Sequence, residues 1–174
     1  GAIASDYYGA PSLAMYGCAV TGTNGKTTTA NWISELFTKL GKPSGYIGTL
    51  GCTCQGEPLP SVAMTTPDPL TVQRLFAELR ERGSEVFAIE ASSIGLEQGR
   101  LRGAAFKVGI FTNLTRDHLD YHGDMEHYAR AKEILFSWPG LEYAVINFDD
   151  PAAERMAQAA HRAGVKVFSV GISQ

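Results

Sequence analysis

Between residues 20 and 29 the chain reads Val20-Thr21-Gly22-Thr23-Asn24-Gly25-Lys26-Thr27-Thr28-Thr29, residue types suited to holding a polyphosphate. Gly22 and Gly25 permit a tight turn that aims successive backbone N–H groups at one anion. A helix beginning directly after them adds unpaired donors and the positive end of its dipole. Lys26 brings a mobile charge for the outer phosphates, and Thr27 a hydroxyl for the magnesium ion that accompanies a nucleoside triphosphate. The general phosphate-loop pattern has a glycine where this chain has Val20, so a plain glycine turn followed by a surface lysine is the competing reading.

Other reactive groups follow apolar runs. Glu90 closes Val86-Phe87-Ala88-Ile89. An acid ending such a strand near a phosphate loop is placed to ligate magnesium or organise water; otherwise it is an ordinary solvated carboxylate. His118 and His122 are four apart and would share a face if their segment were helical, although Gly123 and the neighbouring Asp117, Asp120 and Tyr121 suit a loop equally well. Lys132 stands apart. With Asp124 as N-cap, Met125, Tyr128, Ala129, Leu135 and Phe136 share one arc of a helix, and Lys132 falls in its middle, away from Glu126, Arg130 and Glu133. Such a lysine reaches out to water, meets an anion, or is chemically altered.

Positioning these groups requires a layered domain. Met15 to Val20 reads as the buried strand before the loop, and Trp32, Ile33, Leu36, Phe37 and Leu40 as the inner face of the helix after it, which ends at Gly41. Tyr46 to Leu50 is a further strand, and Gly51 to Ser61 a hairpin or loop. Asp68 caps a helix with Pro69 in its first turn, carried by Val72, Leu75, Phe76 and Leu79 to Gly83. Strands follow at Val86 to Ile89, Val108 to Thr112, Tyr143 to Ile146 and Val165 to Val170, the last preceded by a helix from Pro151 to Ala163. Apolar strands alternating with helices predict an α/β fold, a P-loop-type and largely parallel sheet with helices on both faces, binding its ligand at the carboxyl ends of the strands.

The 174 residues, 44% of them apolar and 19% charged, suit one domain. A net charge of −3 lacks the basic excess of a nucleic-acid binder. Cys18, Cys52 and Cys54 form neither an even disulfide set nor a zinc quartet and read as reduced thiols of a cytoplasmic protein. No apolar run approaches the roughly 18 residues of a membrane span.

Taken together, the sequence resembles the central ATP-binding domain of the Mur ligases. The resemblance runs through Thr21 to Thr28, Thr65-Thr66-Pro67, Glu90-Ala91-Ser92-Ser93, Gln98-Gly99-Arg100, Thr112 to Gly123, Tyr128 to Lys132 and Asn147 to Asp150. The short glycine spacing is that family's own form of the loop. The resemblance implies that Gly22, Thr23, Asn24, Gly25, Lys26, Thr27 and Thr28 cradle ATP, and that Thr27 and Glu90 hold one Mg2+. It further implies that His118 and a carbamylated Lys132 serve a second, with Lys26, His118 and Lys132 in catalytic roles. Thr65, Thr66, Ser92, Gln98 and Arg100 match positions that contact a UDP-muramoyl dipeptide, while Ile94 departs from the histidine common after the paired serines.

The implied reaction belongs to peptidoglycan precursor synthesis: ATP activates the dipeptide carboxylate as an acyl phosphate, and the amine of a diamino acid displaces phosphate. Residues 14–174 would be the central domain and 1–13 a junction from an N-terminal UDP-binding domain. With the C-terminal domain also missing, such a fragment should have little or no ligase activity alone. A folylpolyglutamate-synthase-like ligase is the alternative within the superfamily, disfavoured by Asp117 to Gly123 and Gln98-Gly99-Arg100. A catalytically inactive nucleotide-binding module is the alternative outside it, disfavoured by the joint presence of Lys26, Glu90, His118 and Lys132.

Overall fold

The computed structural model describes residues 1–60 and 64–172. Ser61, at the end of the expected hairpin, and Ser173-Gln174 lie outside the described residues. Eight strands form one sheet: β1 (Tyr16–Thr21), β2 (Ser44–Gly48), β3 (Gly51–Cys54), β4 (Glu57–Leu59), β5 (Val86–Glu90), β6 (Val108–Phe111), β7 (Tyr143–Asn147) and β8 (Lys166–Val170). Their spatial order is β4-β3-β2-β5-β1-β6-β7-β8. The β2-β3-β4 edge is antiparallel and every other pairing parallel. The expected α/β sheet is therefore present, and the glycine-rich stretch after β2 is a hairpin rather than a loop.

Helices α2 (Lys26–Lys39), α3 (Pro69–Glu81), α4 (Ser93–Glu97), α5 (Leu119–His122), α6 (Met125–Glu133) and α7 (Ala153–Arg162) follow strands, and α1 (Ala2–Tyr7) precedes them. Their starts follow from sequence chemistry. Asp68 accepts from the N–H groups of Leu70 and Thr71 with Pro69 in the first turn, and Asp124 accepts from His127 N–H. α1 and the 3-10 turn Pro11–Ala14 pack on α3, with Arg80 Nη1 donating to Gly9 O at 3.2 Å. Nothing in the sequence reading anticipated α1.

Strand alternation separates two cores. Phe87 and Ile89 of β5 face α3 with Val72, Leu75, Phe76 and Leu79, whereas Ala88 faces α2 with Cys18, Val20, Ala30 and Tyr46. Glu90, two residues beyond Ala88, consequently lies on the α2 side. The α2 helix corrects the sequence reading: Trp32, Leu36 and Leu40 are 67%, 56% and 67% exposed, and its buried residues are Ala30 and Ser34. Small side chains let the helix sit close to the sheet, and Ser44 Oγ donates to Ser34 O between them. The apolar arc is thus rotated outward, with Ile33 on its shoulder against the core.

Candidate functional site

β1 lies between β5 and β6, with Val20 beside both Glu90 and Ile110. The segments leaving these three carboxyl ends therefore meet. Gly22, at φ 150°, passes so near β6 that a Cβ there would lie 1.8 Å from Thr112 Oγ1. The loop is bound along its length to the segment after β6. Thr23 N–H donates to Asn113 O at 2.9 Å, Asn24 N–H to Asn113 Oδ1 at 2.9 Å, and Thr112 Oγ1 to Asn24 O at 2.7 Å. Thr23 Oγ1 accepts from Thr115 N–H at 2.9 Å and shares a 3.1 Å hydrogen bond with Tyr128 OH.

Lys26 folds over this loop, donating to Gly22 O at 2.9 Å and Thr23 O at 2.8 Å. Burial lowers its pKa, while Glu90 and Asp117 oppose the change. A cavity of about 390 Å³ opens beside it. Its walls include Thr23 to Thr27 of the loop and helix start, together with Thr49, Glu90 and His118.

Glu90 is 1% exposed and held on both oxygens. Oε1 accepts from Tyr46 OH at 2.5 Å and from Thr49 N–H at 2.8 Å; Oε2 accepts from Thr27 Oγ1 at 2.9 Å and from Thr49 Oγ1 at 3.2 Å. Gly48 makes room for this arrangement, since a Cβ there would meet Glu90 Oε1 at 2.1 Å and Tyr46 OH at 2.4 Å. Burial and the bond to Glu90 raise the Tyr46 pKa, keeping the phenol a donor.

Thr65, Thr66, Ser92 and Arg100 line the same cavity as the phosphate loop. Thr66 Oγ1 donates to Glu90 O at 2.7 Å and accepts from Ser92 N–H at 3.0 Å, while Ser92 Oγ caps α4 through Gly95 N–H at 3.1 Å. Arg100 is held as a fork, with Nε donating to Gln98 Oε1 at 2.8 Å and Nη1 to Thr66 O at 2.9 Å. Gln98 lies outside the cavity wall, against Tyr121 OH at 3.2 Å, where it orients Arg100.

The two histidines separate. His118, at φ 53°, precedes α5 and reaches the cavity. His122 turns inward: Nε2 is 2.9 Å from Ser93 Oγ, and Nδ1 lies 3.3 Å from Glu97 Oε2 without hydrogen-bond alignment. Burial lowers its pKa. Lys132 is only 1% exposed, with Nζ 4.2 Å from the centre of the Tyr128 ring. Its ammonium does not reach water. Burial pushes its pKa down to about 7, with repulsion from Lys26 adding to the effect and Asp117 opposing it. Lys132, against the Tyr128 ring, does not line the cavity, and neither do Gly22 and Thr28.

Sequence reasoning missed Tyr46, Gly48, Thr49 and Tyr128 as parts of this site. The available signal was a polar Gly-Thr pair at the end of an apolar strand, but the expected strand ran through Leu50 and hid it. All three cysteines are free and buried. Among the described residues no helix is long and apolar enough to cross a membrane, and no three His, Cys, Asp or Glu side chains cluster as a metal site.

Comparison with known proteins gives a consistent result. A family model described as the Mur ligase middle domain matches residues 20–174. A UDP-N-acetylmuramoyl-L-alanyl-D-glutamate--2,6-diaminopimelate ligase from Janthinobacterium sp. (strain Marseille) is 50% identical over 162 residues, covering 91% of this chain and 32% of the relative. The ligase of the same name from Pseudomonas aeruginosa is 49% identical over 156 residues, covering 90% of this chain and 32% of its own. The chain thus spans about a third of the length of these curated relatives. A solved ligase of that name superposes with a TM-score of 0.83 at 38% identity, over 92% of this chain and 32% of the other. A Mycobacterium tuberculosis folylpolyglutamate synthase complexed with ADP shares the fold at TM-score 0.79 and 19% identity, over 98% and 46% of the two chains.

Proposed function

This chain belongs to the Mur ligase family, matching its middle domain, and from that membership we propose that it handles ATP and the acidic substrate in a peptide-extending ligase. The substrates proposed are UDP-N-acetylmuramoyl-L-alanyl-D-glutamate and a diamino acid, with 2,6-diaminopimelate favoured over lysine by the relatives' names. Residues 14–174 are read as the middle domain and 1–13 as the junction into it. Relatives about three times as long support flanking domains for the uridine nucleotide and the amino acid. A cytoplasmic reaction is proposed with these substrates, ATP and a nucleotide sugar, and little activity is expected of this domain alone.

The observation that carries the proposal is one cavity lined both by the phosphate loop and by Thr65, Thr66, Ser92 and Arg100. Because the Thr23 and Asn24 N–H groups are taken by Asn113, the backbone donors that suit the triphosphate are those at the start of α2, from Gly25 to Thr28, together with the Lys26 ammonium; Arg100 suits the anionic substrate. In-line attack by a substrate carboxylate oxygen on the γ-phosphorus forms the acyl phosphate and releases ADP. The amine then adds to the acyl carbon, loses a proton, and phosphate leaves as the amide forms. Positioning and charge neutralisation are the chain's contribution.

The residues present fit magnesium. Thr27 Oγ1 and Glu90 Oε2 are hard oxygen donors 2.9 Å apart, a small protein set suited to an ion held largely by phosphate oxygens and water. When bound, Mg2+ neutralises the charge that otherwise keeps carboxylate and triphosphate apart. His118, at the same cavity, is the proposed contributor to a second ion.

For Lys132 the proposal is carbamylation. With a pKa near 7, a large fraction of the amine is neutral and nucleophilic at physiological pH. Attack of the neutral nitrogen on CO2 forms the N–C bond and releases one proton; with the proton lost earlier from the ammonium, two protons leave in all as a buried cation becomes an anion.

The test uses the full-length parent. Phosphate release requiring ATP, the UDP-muramoyl dipeptide and diaminopimelate together should fall at least 100-fold in Lys132→Ala. Full activity in that variant, or release driven by folate in place of the muramoyl substrate, overturns the proposal.

A further inference from the structure

Thr49 is exposed, lines the cavity and bridges Glu90 and Thr65 through its hydroxyl. Its hydroxyl is 3.2 Å from Glu90 Oε2 and 2.9 Å from Thr65 Oγ1, and its amide is fixed by Glu90 Oε1 at 2.8 Å. We propose that Thr49 is a positioning residue that sets the hydrogen-bond polarity of Thr65, so that Thr65 meets the acidic substrate as an acceptor and selects an N–H or O–H donor there. This rests on the reading of Thr65 as a substrate contact.

The polarity follows from counting protons. A hydroxyl donates once, and a carboxylate oxygen accepts. Thr49 therefore gives its proton to Glu90 Oε2, the stronger acceptor. With no proton left for Thr65, it accepts from Thr65 Oγ1. Thr65 in turn has none to offer the cavity, only lone pairs. The reverse order would face the Thr49 lone pairs against a buried carboxylate oxygen at 3.2 Å.

The two recognition elements, Arg100 and Thr65, are then complementary. Arg100 supplies donors for anionic groups, while Thr65 takes a donor such as a peptide N–H or sugar hydroxyl and turns away a carboxylate. The direction of the chain from Thr65 through Thr49 to Glu90 is what distinguishes a neutral donor from an acid at this point.

The experiment titrates the UDP-muramoyl dipeptide, and separately MgADP, onto the full-length ligase as wild type, Thr49→Val, Thr49→Ser, Thr65→Val and the double valine variant. Thr49→Val should weaken the dipeptide about 5- to 10-fold, the size of one neutral hydrogen bond, and MgADP less than threefold. Thr49→Ser should restore binding to within twofold of wild type, and the double variant should be no weaker than Thr65→Val alone. Unchanged dipeptide affinity in Thr49→Val, failure of serine to restore it, equal weakening of MgADP, or additive losses in the double variant each overturn the relay. Absence of dipeptide binding by the wild type instead overturns the proposed function, and the relay with it.

Discussion

Lys132→Met should abolish a rise of stability with pH that the wild-type domain shows. Folded, the amine titrates near 7; unfolded, it takes the ordinary value of 10.5. Between those pH values the unfolded chain binds a proton that the folded chain does not, so stability increases with pH. Below pH 7 both states are protonated, and the burial penalty is fully present. Above 10.5 it is gone. At about 1.4 kcal/mol per pH unit the whole window amounts to about 5 kcal/mol, of which about 2 kcal/mol falls between pH 7 and 9. Urea unfolding of the metal-free domain in CO2-depleted buffers at pH 5, 6, 7, 8 and 9 measures it. The wild type should gain about 2 kcal/mol over Lys132→Met between pH 7 and 9, with no change between pH 5 and 6. A difference that stays flat within 0.5 kcal/mol from pH 7 to 9 would show that the ammonium escapes to solvent, and would remove the physical basis for the reactive amine.

Gly48→Ala puts a methyl group 2.1 Å from Glu90 Oε1, so the carboxylate must leave Tyr46 and the Thr49 amide. We expect a stability loss of about 2–4 kcal/mol by denaturant titration and at least 10-fold weaker MgATP binding, and a variant indistinguishable on both counts would refute the packing argument. Tyr128→Phe removes the 3.1 Å bond to Thr23 but keeps the ring under Lys132. It should cost about 1 kcal/mol and weaken nucleotide binding a few-fold, measured by calorimetry. Arg100→Lys cannot hold Gln98 Oε1 and Thr66 O together as the guanidinium fork does. In the full-length enzyme the KM for the muramoyl substrate should rise about 10-fold while that for ATP stays within twofold.

Unlike the short helices α1, α4 and α5, the parallel strands, the helices α2, α3, α6 and α7, the phosphate loop and the isolated lysine on an apolar face were readable from residue types. Local rules govern them: runs of apolar residues, a glycine turn before a helix, and Asp68 and Asp124 as caps. Burial direction was not local. Trp32, Leu36 and Leu40 look like an inner face, but the distance between α2 and the sheet is set by Ala30, Ser34 and Ser44, and that choice depends on the β2 neighbour. The His118 and His122 pair could be assigned only when α5 was placed against α4 and α6, which sent one imidazole to the cavity and the other to Ser93. Glu90 was legible as an acid at a strand end; that its oxygens face Tyr46, Thr49 and Thr27 depends on strand β2 lying beside β5, a pairing between segments about forty residues apart. Residue chemistry thus determined which groups were available, and the strand order decided which of them share a cavity, because hydrogen-bond partners across a sheet are set by pairing and not by sequence separation.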